Sequence, residues 1–417
     1  MASSEDAYKE ELHTTGFDLD THCPTDEDYV ETTITVPNLS LRRNSNGNKR
    51  DIKMSNVRQV IRCLKPVDLL VLTYLALTIP LVAYARIWGG IVVRILLLVG
   101  VVYGRWYLVQ TRNQTSFTFR ITNRSFQVST QLIIGFLLDI YGLIACIYIY
   151  GEDGKVIAAL YPDAAKDFYD NEMKAIDAGL FGNVKVEDGT GYYLRSLTGQ
   201  TFNLIFGEWL HFCYFFYYII LVGTWLIAWA FIQHEHFDII STVQVMVYLV
   251  CLVCYLVIPV AGPYWAYPDK RPEAEDVGFV FARVTHFLVE GGSSSGTAFP
   301  SGHCSMTTAA LVLALLYIKP LGLVYLFTNP SLIFATVWCG FHYFIDAFVG
   351  VLVGLMCCAL GHLMVRVVGY NLPAYDDRYS QDFRASKSAG GAFDRTRYSA
   401  LDEDEEVEMD TPTEMEA

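Results

Sequence analysis

Two histidines and an aspartate, His303, His342 and Asp346, have the residue types and spacing that suit catalysis. His342 and Asp346 are one helical turn apart, so the carboxylate can accept from one ring nitrogen, fix the tautomer and leave the other nitrogen free to attack. A phosphoryl group taken up by His342 would give a phosphohistidine. His303 would then protonate the departing alcohol and later deprotonate the acceptor.

The residues before His303 predict an anion site at the start of a helix. Phe299-Pro300-Ser301-Gly302 is a turn that leads directly into the apolar run from Met306 to Ile318. The first N–H groups of a helix have no partner within the helix, and they carry the positive end of its dipole. Such a helix start binds phosphate-like groups readily.

The composition indicates that these residues belong to a membrane protein. The chain has 417 residues, of which 53% are hydrophobic, and a mean hydropathy of +0.31. Both values are too high for a soluble protein of this size. Much of the net charge of −14 lies in the two polar ends of the chain. The predicted fold is therefore an all-α polytopic membrane protein.

About eight apolar stretches are long enough to cross the hydrocarbon core of a bilayer. They are predicted at residues 67–86, 89–109, 131–150, 208–232, 238–261, 303–319, 321–341 and 346–368. A basic cluster before the first stretch, including Lys49, Arg50 and Lys53, places the N-terminus in the cytosol by the positive-inside rule. Alternation of the spans then puts His303 and His342 on one lumenal face.

The polar segments divide the chain into four predicted parts. These are a disordered cytosolic tail at 1–64, two additional transmembrane helices with a cytosolic loop at 65–130, a region of six spans at 131–368, and a disordered acidic cytosolic tail at 369–417. A lumenal insertion at 151–207 is expected to cover the site and exclude water. Arg94 and Asp139 fall within apolar spans, so we expect them to form a structural pair inside the bundle.

The histidine motifs resemble two signatures of a known superfamily. Phe299 to His303 resembles the second signature, and Gly340 to Asp346 with Gly350 resembles the third, of the type 2 phosphatidic acid phosphatase superfamily. Those enzymes share a six-helix core and transfer phosphoryl groups through a histidine. Carried over by position, the resemblance implies a catalytic core at 131–368, His342 as nucleophile, Asp346 as its orienting partner, His303 as acid and base, and Ser301 with Gly302 as phosphate contacts.

The sequence departs from the hydrolase pattern at two cation positions. The hydrolases carry Lys-x6-Arg-Pro as a first signature and Ser-Arg before the third-signature histidine, where this chain has Tyr264 with Arg271-Pro272 and Ala335-Thr336. These replacements are similar to the inositol phosphorylceramide synthase branch and, more loosely, to sphingomyelin synthases. A phosphodiester carries less negative charge than a phosphomonoester, so a site with fewer cations suits the diester.

Four residues of the segment 262–302 are further predicted substrate contacts. Lys270, Arg271 and Arg283 are the cations that could still reach a phosphate, and Tyr264 stands at the first-signature lysine position.

The resemblance implies a lipid phosphotransferase of the inositol phosphorylceramide synthase type. It would move a phospho-headgroup, with phosphoinositol preferred, from a glycerophospholipid to ceramide or a similar lipid alcohol. No cofactor or metal ion is expected, because the histidine itself carries the phosphoryl group. The expected partners are membrane lipids and not nucleic acid, and the expected location is the Golgi or another endomembrane, with a lumenal active site.

Two other functions stay open. A phosphatase that hydrolyses phosphatidate or a related monoester could use the same triad, and Pro-Ser-Gly-His with Arg271-Pro272 favours it. A non-catalytic transporter or scaffold is the third hypothesis, and the intact set of His303, His342 and Asp346 argues against it.

Overall fold

A computed structural model of the chain describes residues 33–34, 63–110, 116–121, 124–181, 190–232 and 234–369. The two tails predicted to be disordered lie almost entirely outside the described residues. The chain divides into two compact units, and each is described by itself.

The smaller unit contains a three-stranded antiparallel sheet. Its strands are β1 (Thr33–Ile34), β2 (Ser116–Ile121) and β3 (Arg124–Ser129). β2 and β3 form a hairpin in which Ser116 pairs with Ser129 and Ile121 pairs with Arg124. The sequence predicts only a loop between the second and third spans, so this hairpin is an addition to the predicted fold.

The larger unit is helical over most of its described residues. Its helices are α1 (Pro66–Tyr84), α2 (Trp88–Gln110), α3 (Thr130–Leu160), α4 (Ala164–Asp167), α5 (Asp170–Phe181), α6 (Thr190–Ser196), α7 (Gln200–Phe231), α8 (His234–Val257), α9 (Pro263–Ala266), α10 (Ala274–Val277), α11 (Phe281–Gly292), α12 (Gly302–Tyr317), α13 (Lys319–Trp338) and α14 (Phe344–Gly369). A short 3-10 helix, Pro268–Lys270, follows α9.

Seven of the described helices are long and apolar enough to cross a membrane: α1, α2, α3, α7, α8, α13 and α14. The remaining predicted span, 303–319, corresponds to α12, which is apolar but has only 16 residues. The helices lie where the spans are predicted, and the prediction of an all-α integral membrane protein is confirmed.

Two helices are longer than the sequence predicts, which shortens the insertion at 151–207. α3 continues to Leu160, and α7 already begins at Gln200. Glu152 and Asp153 lie in the extension of α3, and both are buried. Arg94 of α2 pairs with Glu152, and the Tyr74 hydroxyl of α1 donates to Asp153 over 2.6 Å. Glu152 and Asp153, which make this stretch look like a loop in the sequence, therefore have polar partners inside the bundle.

A buried charge network connects α1, α2, α3 and α8. Asp139 lies 3.2 Å from both Lys65 and Arg105. Lys65 also reaches Asp238 at 2.7 Å, and Arg105 pairs with Asp68 at 2.9 Å. Asp139 is thus paired inside the bundle as expected, although its partners are these two cations, whereas Arg94 pairs with Glu152. The network joins the two additional helices to the rest of the larger unit.

Replacing Arg105 with Leu should destabilise the protein strongly. The change leaves the buried carboxylates of Asp68 and Asp139 short of a cation, and breaking such a network typically costs about 3–5 kcal/mol. Thermal unfolding of the purified protein in detergent measures the effect. Lys155→Leu, which removes an exposed cation from the end of α3, is the control. Equal unfolding temperatures for the two variants would contradict a stabilising role for the network.

Candidate active site

His303 and His342 line the same cavity, which has a volume of about 320 Å³. His303 lies in the first turn of α12, and His342 lies in the short connection between α13 and α14. The centroids of the two rings are 6.0 Å apart. A single bound group can therefore contact both imidazoles, as the sequence predicts for a nucleophile and its acid.

The start of α12 is built by Ser301 and Gly302. The Ser301 hydroxyl caps the helix by accepting from Cys304 N over 3.3 Å, and Ser301 N donates to the Asp346 carbonyl over 2.9 Å. A Cβ at Gly302 would come within 2.7 Å of the Tyr255 hydroxyl, so a larger residue there would have to displace that buried ring. Gly302 lines the cavity, and the first N–H groups of α12 have no partner within the helix.

α12 and α14 approach each other closely along two glycines. A Cβ at Gly350 would lie 2.6 Å from the Ser301 carbonyl oxygen, and a Cβ at Gly354 would lie 2.5 Å from that of Ser305. Small residues four apart let membrane helices come into backbone contact. This contact brings the helix start that carries His303 against the helix start that carries Asp346.

The orientation of His342 is set mainly by a backbone carbonyl. Its Nδ1 lies 2.9 Å from the Ala298 carbonyl oxygen and 3.7 Å from Asp346 Oδ2. The shorter distance is a hydrogen bond and the longer one is not, so Nδ1–H donates to Ala298. The prediction that Asp346 fixes the tautomer is corrected in this respect. The result is the expected one, because Nε2 keeps its lone pair.

Asp346 instead caps α14 and supplies negative charge beside the imidazole. Its Oδ2 accepts from Tyr343 N over 2.9 Å, which satisfies one of the free N–H groups at the start of α14. The residue is fully buried, and its Oδ1 has no hydrogen-bond partner among the described residues. The carboxylate therefore lies beside the His342 ring, where it can stabilise positive charge that develops on the ring during a reaction.

His303 is held between two tyrosines of α7. The centroid of its ring is 4.4 Å from that of Tyr214 and 4.3 Å from that of Tyr217. These two rings cover the imidazole and fix its orientation in the cavity wall. His303 Nε2 is buried and makes no hydrogen bond to the described residues. The sequence shows the aromatic run of α7, but it does not reveal which of these rings meet His303.

The rest of the cavity wall is aromatic and uncharged. Tyrosines make up much of the lining: Tyr150, Tyr214, Tyr217, Tyr218, Tyr248, Tyr255 and Tyr264. No Lys, Arg, Asp or Glu is among the described residues that line it. Nor does the described part of the chain contain a cluster of three His, Cys, Asp or Glu side chains suited to a metal ion.

Tyr264 and Arg271 form a group at the cavity wall. The Arg271 guanidinium lies 4.0 Å from the centroid of the Tyr264 ring, and its Nη2 donates to the Tyr264 carbonyl over 3.0 Å. The Tyr264 hydroxyl donates to Glu290 over 3.1 Å. Burial raises the pKa of Tyr264 to about 12, and the Glu290 carboxylate adds to this shift while Arg271 opposes it. Tyr264 therefore stays a neutral hydroxyl at physiological pH.

The other predicted cations are not brought to the cavity. Arg283 pairs with Glu275 over 3.1 Å, and 64% of its side chain is exposed. Lys270 is exposed, and neither residue lines the cavity. At the position of the hydrolase arginine, Thr336 is buried and donates to Ile333 O within its own helix. The positions of Lys270 and Arg283 argue against phosphate contacts by these two residues. Thr336 supplies no cation where the hydrolases have an arginine.

Two aspartates of the insertion hold the loops around His342. Asp170 accepts from the backbone N–H groups of Ala261 and Gly262, each over 2.9 Å, and from the Tyr343 hydroxyl. Asp177 accepts from the N–H groups of Phe344 and Ile345, over 2.7 and 3.0 Å. The insertion thus braces the loops around His342, and its predicted role as a cover that excludes water stays a prediction.

The spacing of the two aspartates is a sequence signal for this brace, although the acidic, Gly-rich composition of the segment makes it hard to recognise. Asp170 and Asp177 are seven residues apart on α5, so they lie on the same side of the helix, about 10 Å apart. Burial raises the pKa of both carboxyl groups, and the backbone N–H donors oppose the shift. An acidic, Gly-rich segment reads as a solvated loop, which is why the pair was not among the predicted site residues.

Replacing Asp177 with Asn should lower turnover while the protein stays folded. The amide loses the negative charge at the start of α14 and turns an NH2 group toward backbone donors, so the connection that carries His342 loosens. We expect a fall in kcat of about tenfold, measured with lipid substrates in nanodiscs. Asp163→Asn, which removes an exposed carboxylate of the same insertion, is the control. Identical kcat values would contradict the bracing role.

Comparison with known proteins identifies a related family for the region of the site. Residues 200–360, less than half of the chain, match the family model of the PAP2 superfamily. The matched region includes His303, His342 and Asp346, and it supports a lipid enzyme of the phosphatase or phosphotransferase type. No curated protein and no solved structure matches the chain.

Proposed function

We propose that this protein is a lipid phosphotransferase, which moves a phospho-headgroup from a glycerophospholipid to ceramide or a similar lipid alcohol. The observation that carries this proposal is the pair of histidines, 6.0 Å apart between ring centroids, in a cavity whose described lining has no charged side chain. The PAP2 superfamily match over residues 200–360 supports the phosphoryl chemistry in general.

In the first half-reaction, His342 attacks the donor. Its Nε2 forms a bond to phosphorus, the bond from phosphorus to the diacylglycerol oxygen breaks, and His303 gives its proton to that oxygen. The products are diacylglycerol and a phosphohistidine that carries the headgroup. Asp346, 3.7 Å from Nδ1, stabilises the positive charge that develops on the ring.

The second half-reaction reverses these roles. His303, now neutral, takes the proton of the acceptor hydroxyl, and the hydroxyl oxygen attacks phosphorus while the bond to Nε2 breaks. This step restores both imidazoles to their starting protonation states. The N–H groups at the start of α12, including that of Gly302, stabilise the negative charge on the phosphoryl oxygens in both steps.

The uncharged lining supports a phosphodiester donor. A diester carries one negative charge, which the helix start and one imidazolium can balance, whereas a monoester with nearly two charges calls for additional cations. The tyrosine hydroxyls of the lining are suited to a headgroup rich in hydroxyls, and this supports phosphoinositol over a charged headgroup. We further propose that the site faces the lumen of the Golgi or another endomembrane.

Hydrolysis of a lipid phosphomonoester is the second candidate function. Arg271 favours it, because this cation lies 4.0 Å from the ring of Tyr264 at the cavity wall. Its guanidinium would have to leave the Tyr264 carbonyl and Glu290 to bring a second positive charge to a phosphate. Water in place of a lipid alcohol would then complete the second half-reaction.

Transfer by the purified protein separates the two candidates. We expect labelled ceramide with phosphatidylinositol to give a phosphoceramide product, and His342→Ala to abolish it because no phosphohistidine forms. Phosphatidylcholine, phosphatidylethanolamine and phosphatidate serve as alternative donors. Release of free phosphate from phosphatidate, with no product from ceramide, would select the phosphatase. Unchanged activity in His342→Ala would refute both mechanisms.

The role of His303 is tested by changing the leaving group. His303→Ala should lower the rate of transfer from a natural lipid by about 10²–10⁴-fold, because the alkoxide leaves without a proton. A 4-nitrophenyl phosphodiester of inositol needs no protonation, so the burst of nitrophenol should persist in the variant. Equal losses of rate with the two donors would show that His303 is not the acid.

A further inference from the structure

We propose that the cavity continues into a slot that binds an acyl chain of the glycerophospholipid donor and opens sideways between α3, α7 and α11. The slot is defined by Ile147 of α3, Tyr218, Leu221 and Val222 of α7, and Leu288 of α11. This inference rests on the proposed function only for the identity of the lipid.

Two residues that line the cavity are much more exposed than most of their neighbours in its wall. Ile147 and Val222 both line it, and they are 49% and 39% exposed. Each lies in a helix that is long and apolar enough to span a membrane. Leu221, which is next to Val222 and lines the same cavity, is only 6% exposed, so we take the high exposure of Ile147 and Val222 to mark an opening toward the lipid. The cavity is therefore accessible from the side of the bundle.

The slot extends away from the histidines along α7 and α8. Tyr214, which stacks on His303, and Val222 are eight residues apart on α7, which corresponds to about 12 Å along a helix. On α8 the lining runs from Tyr255, beside Gly302, to Tyr248, about 10 Å further along. The reacting groups thus lie at one end of an elongated cavity.

The polarity of the lining changes along this length. Thr297 directly precedes Ala298, whose carbonyl oxygen contacts His342, whereas Leu221 and Val222 lie about 10–12 Å along α7 from Tyr214. A phospholipid has the same polarity gradient, from its headgroup to its acyl chains. A headgroup held by the histidines would therefore place an acyl chain among the apolar residues.

The donor is the first lipid that this geometry must hold. His303 protonates the diacylglycerol oxygen in the proposed mechanism, and His303 is the histidine that stacks on α7, the helix that supplies Tyr218, Leu221 and Val222. The diacylglycerol part of the donor must therefore extend toward α7. Because bilayer lipid is as apolar as the slot, the chain gains little affinity there, and the slot instead fixes the position of the phosphate.

Photo-crosslinking tests the slot without any turnover. The probe is phosphatidylinositol with a diazirine in one acyl chain, present at low abundance in nanodiscs that hold the full-length protein and no acceptor. We expect adducts on Leu221 and Met306, which line the cavity but are 6% and 3% exposed, so that bulk lipid does not reach them. Excess unlabelled phosphatidylinositol should remove these adducts. Adducts confined to outward-facing residues such as Ile144 and Leu226 would overturn the proposal.

Tryptophan substitutions with matched controls test the same slot by activity. Val222→Trp should block it, whereas Leu226→Trp, one turn along α7 and 42% exposed outside the lining, should not. Ile147→Trp and Ile144→Trp form the same pair on α3, since Ile144 is 58% exposed and does not line the cavity. We expect the blocking variants to lower kcat/KM for a long-chain donor at least tenfold. Their kcat/KM for a dibutanoyl donor should stay within threefold of wild type.

Equal changes of kcat/KM in the blocking and control variants would overturn the proposal of an acyl-chain slot. A wild-type protein that transfers no headgroup would instead refute the proposed function, and the crosslinking pattern would still decide whether the slot binds an acyl chain.

Discussion

The backbone contact between α12 and α14 holds the helix start that carries His303 against the helix start that carries Asp346. Gly350 and Gly354 let the two helices approach until Ser301 N bonds to the Asp346 carbonyl over 2.9 Å. A single methyl group at either glycine would separate the two helix starts. In the proposed mechanism the nucleophile, the acid and the N–H groups for the phosphoryl oxygens come from separate stretches, and this contact brings those stretches together.

The rest of the larger unit supports that contact by satisfying polar groups where water is scarce. Asp170 and Asp177 accept the free N–H groups of the loops around His342, and Asp346 accepts one more. At other places in the bundle, Arg94 and Arg105 neutralise acidic residues on α3. In an apolar environment each polar group without a partner would cost several kcal/mol. The fold therefore requires these contacts.

The sequence predicts the positions of the helices well where hydropathy alone determines them. It predicts helix ends less well where they depend on contacts with other helices. The eight helices follow from apolar stretches, yet α3 extends to Leu160 because Glu152 and Asp153 find partners on α1 and α2. No local pattern reveals those partners. The bounds predicted for the four parts of the chain remain predictions. The β2–β3 hairpin lies between the second and third predicted spans, where the sequence predicts only a loop.

The site shows the same division between local pattern and long-range contact. The motifs identify His303, His342 and Asp346, because short spacing within a helix turn is visible in the chain. They do not reveal that the Ala298 carbonyl orients His342, since any residue supplies a carbonyl. Arg283 looks like a phosphate ligand by charge and position, but Glu275 holds it on the surface.

The bond from His342 to Ala298 has a consequence for how the site tolerates genetic change. A backbone carbonyl is present whatever side chain position 298 carries, so no single point mutation there deletes the acceptor itself. Ring orientation is thereby separated from the charge that Asp346 supplies. Natural variation in residue 346 would then alter the electrostatics of the site while the correct tautomer survived, giving a weakened enzyme in place of an inactive one.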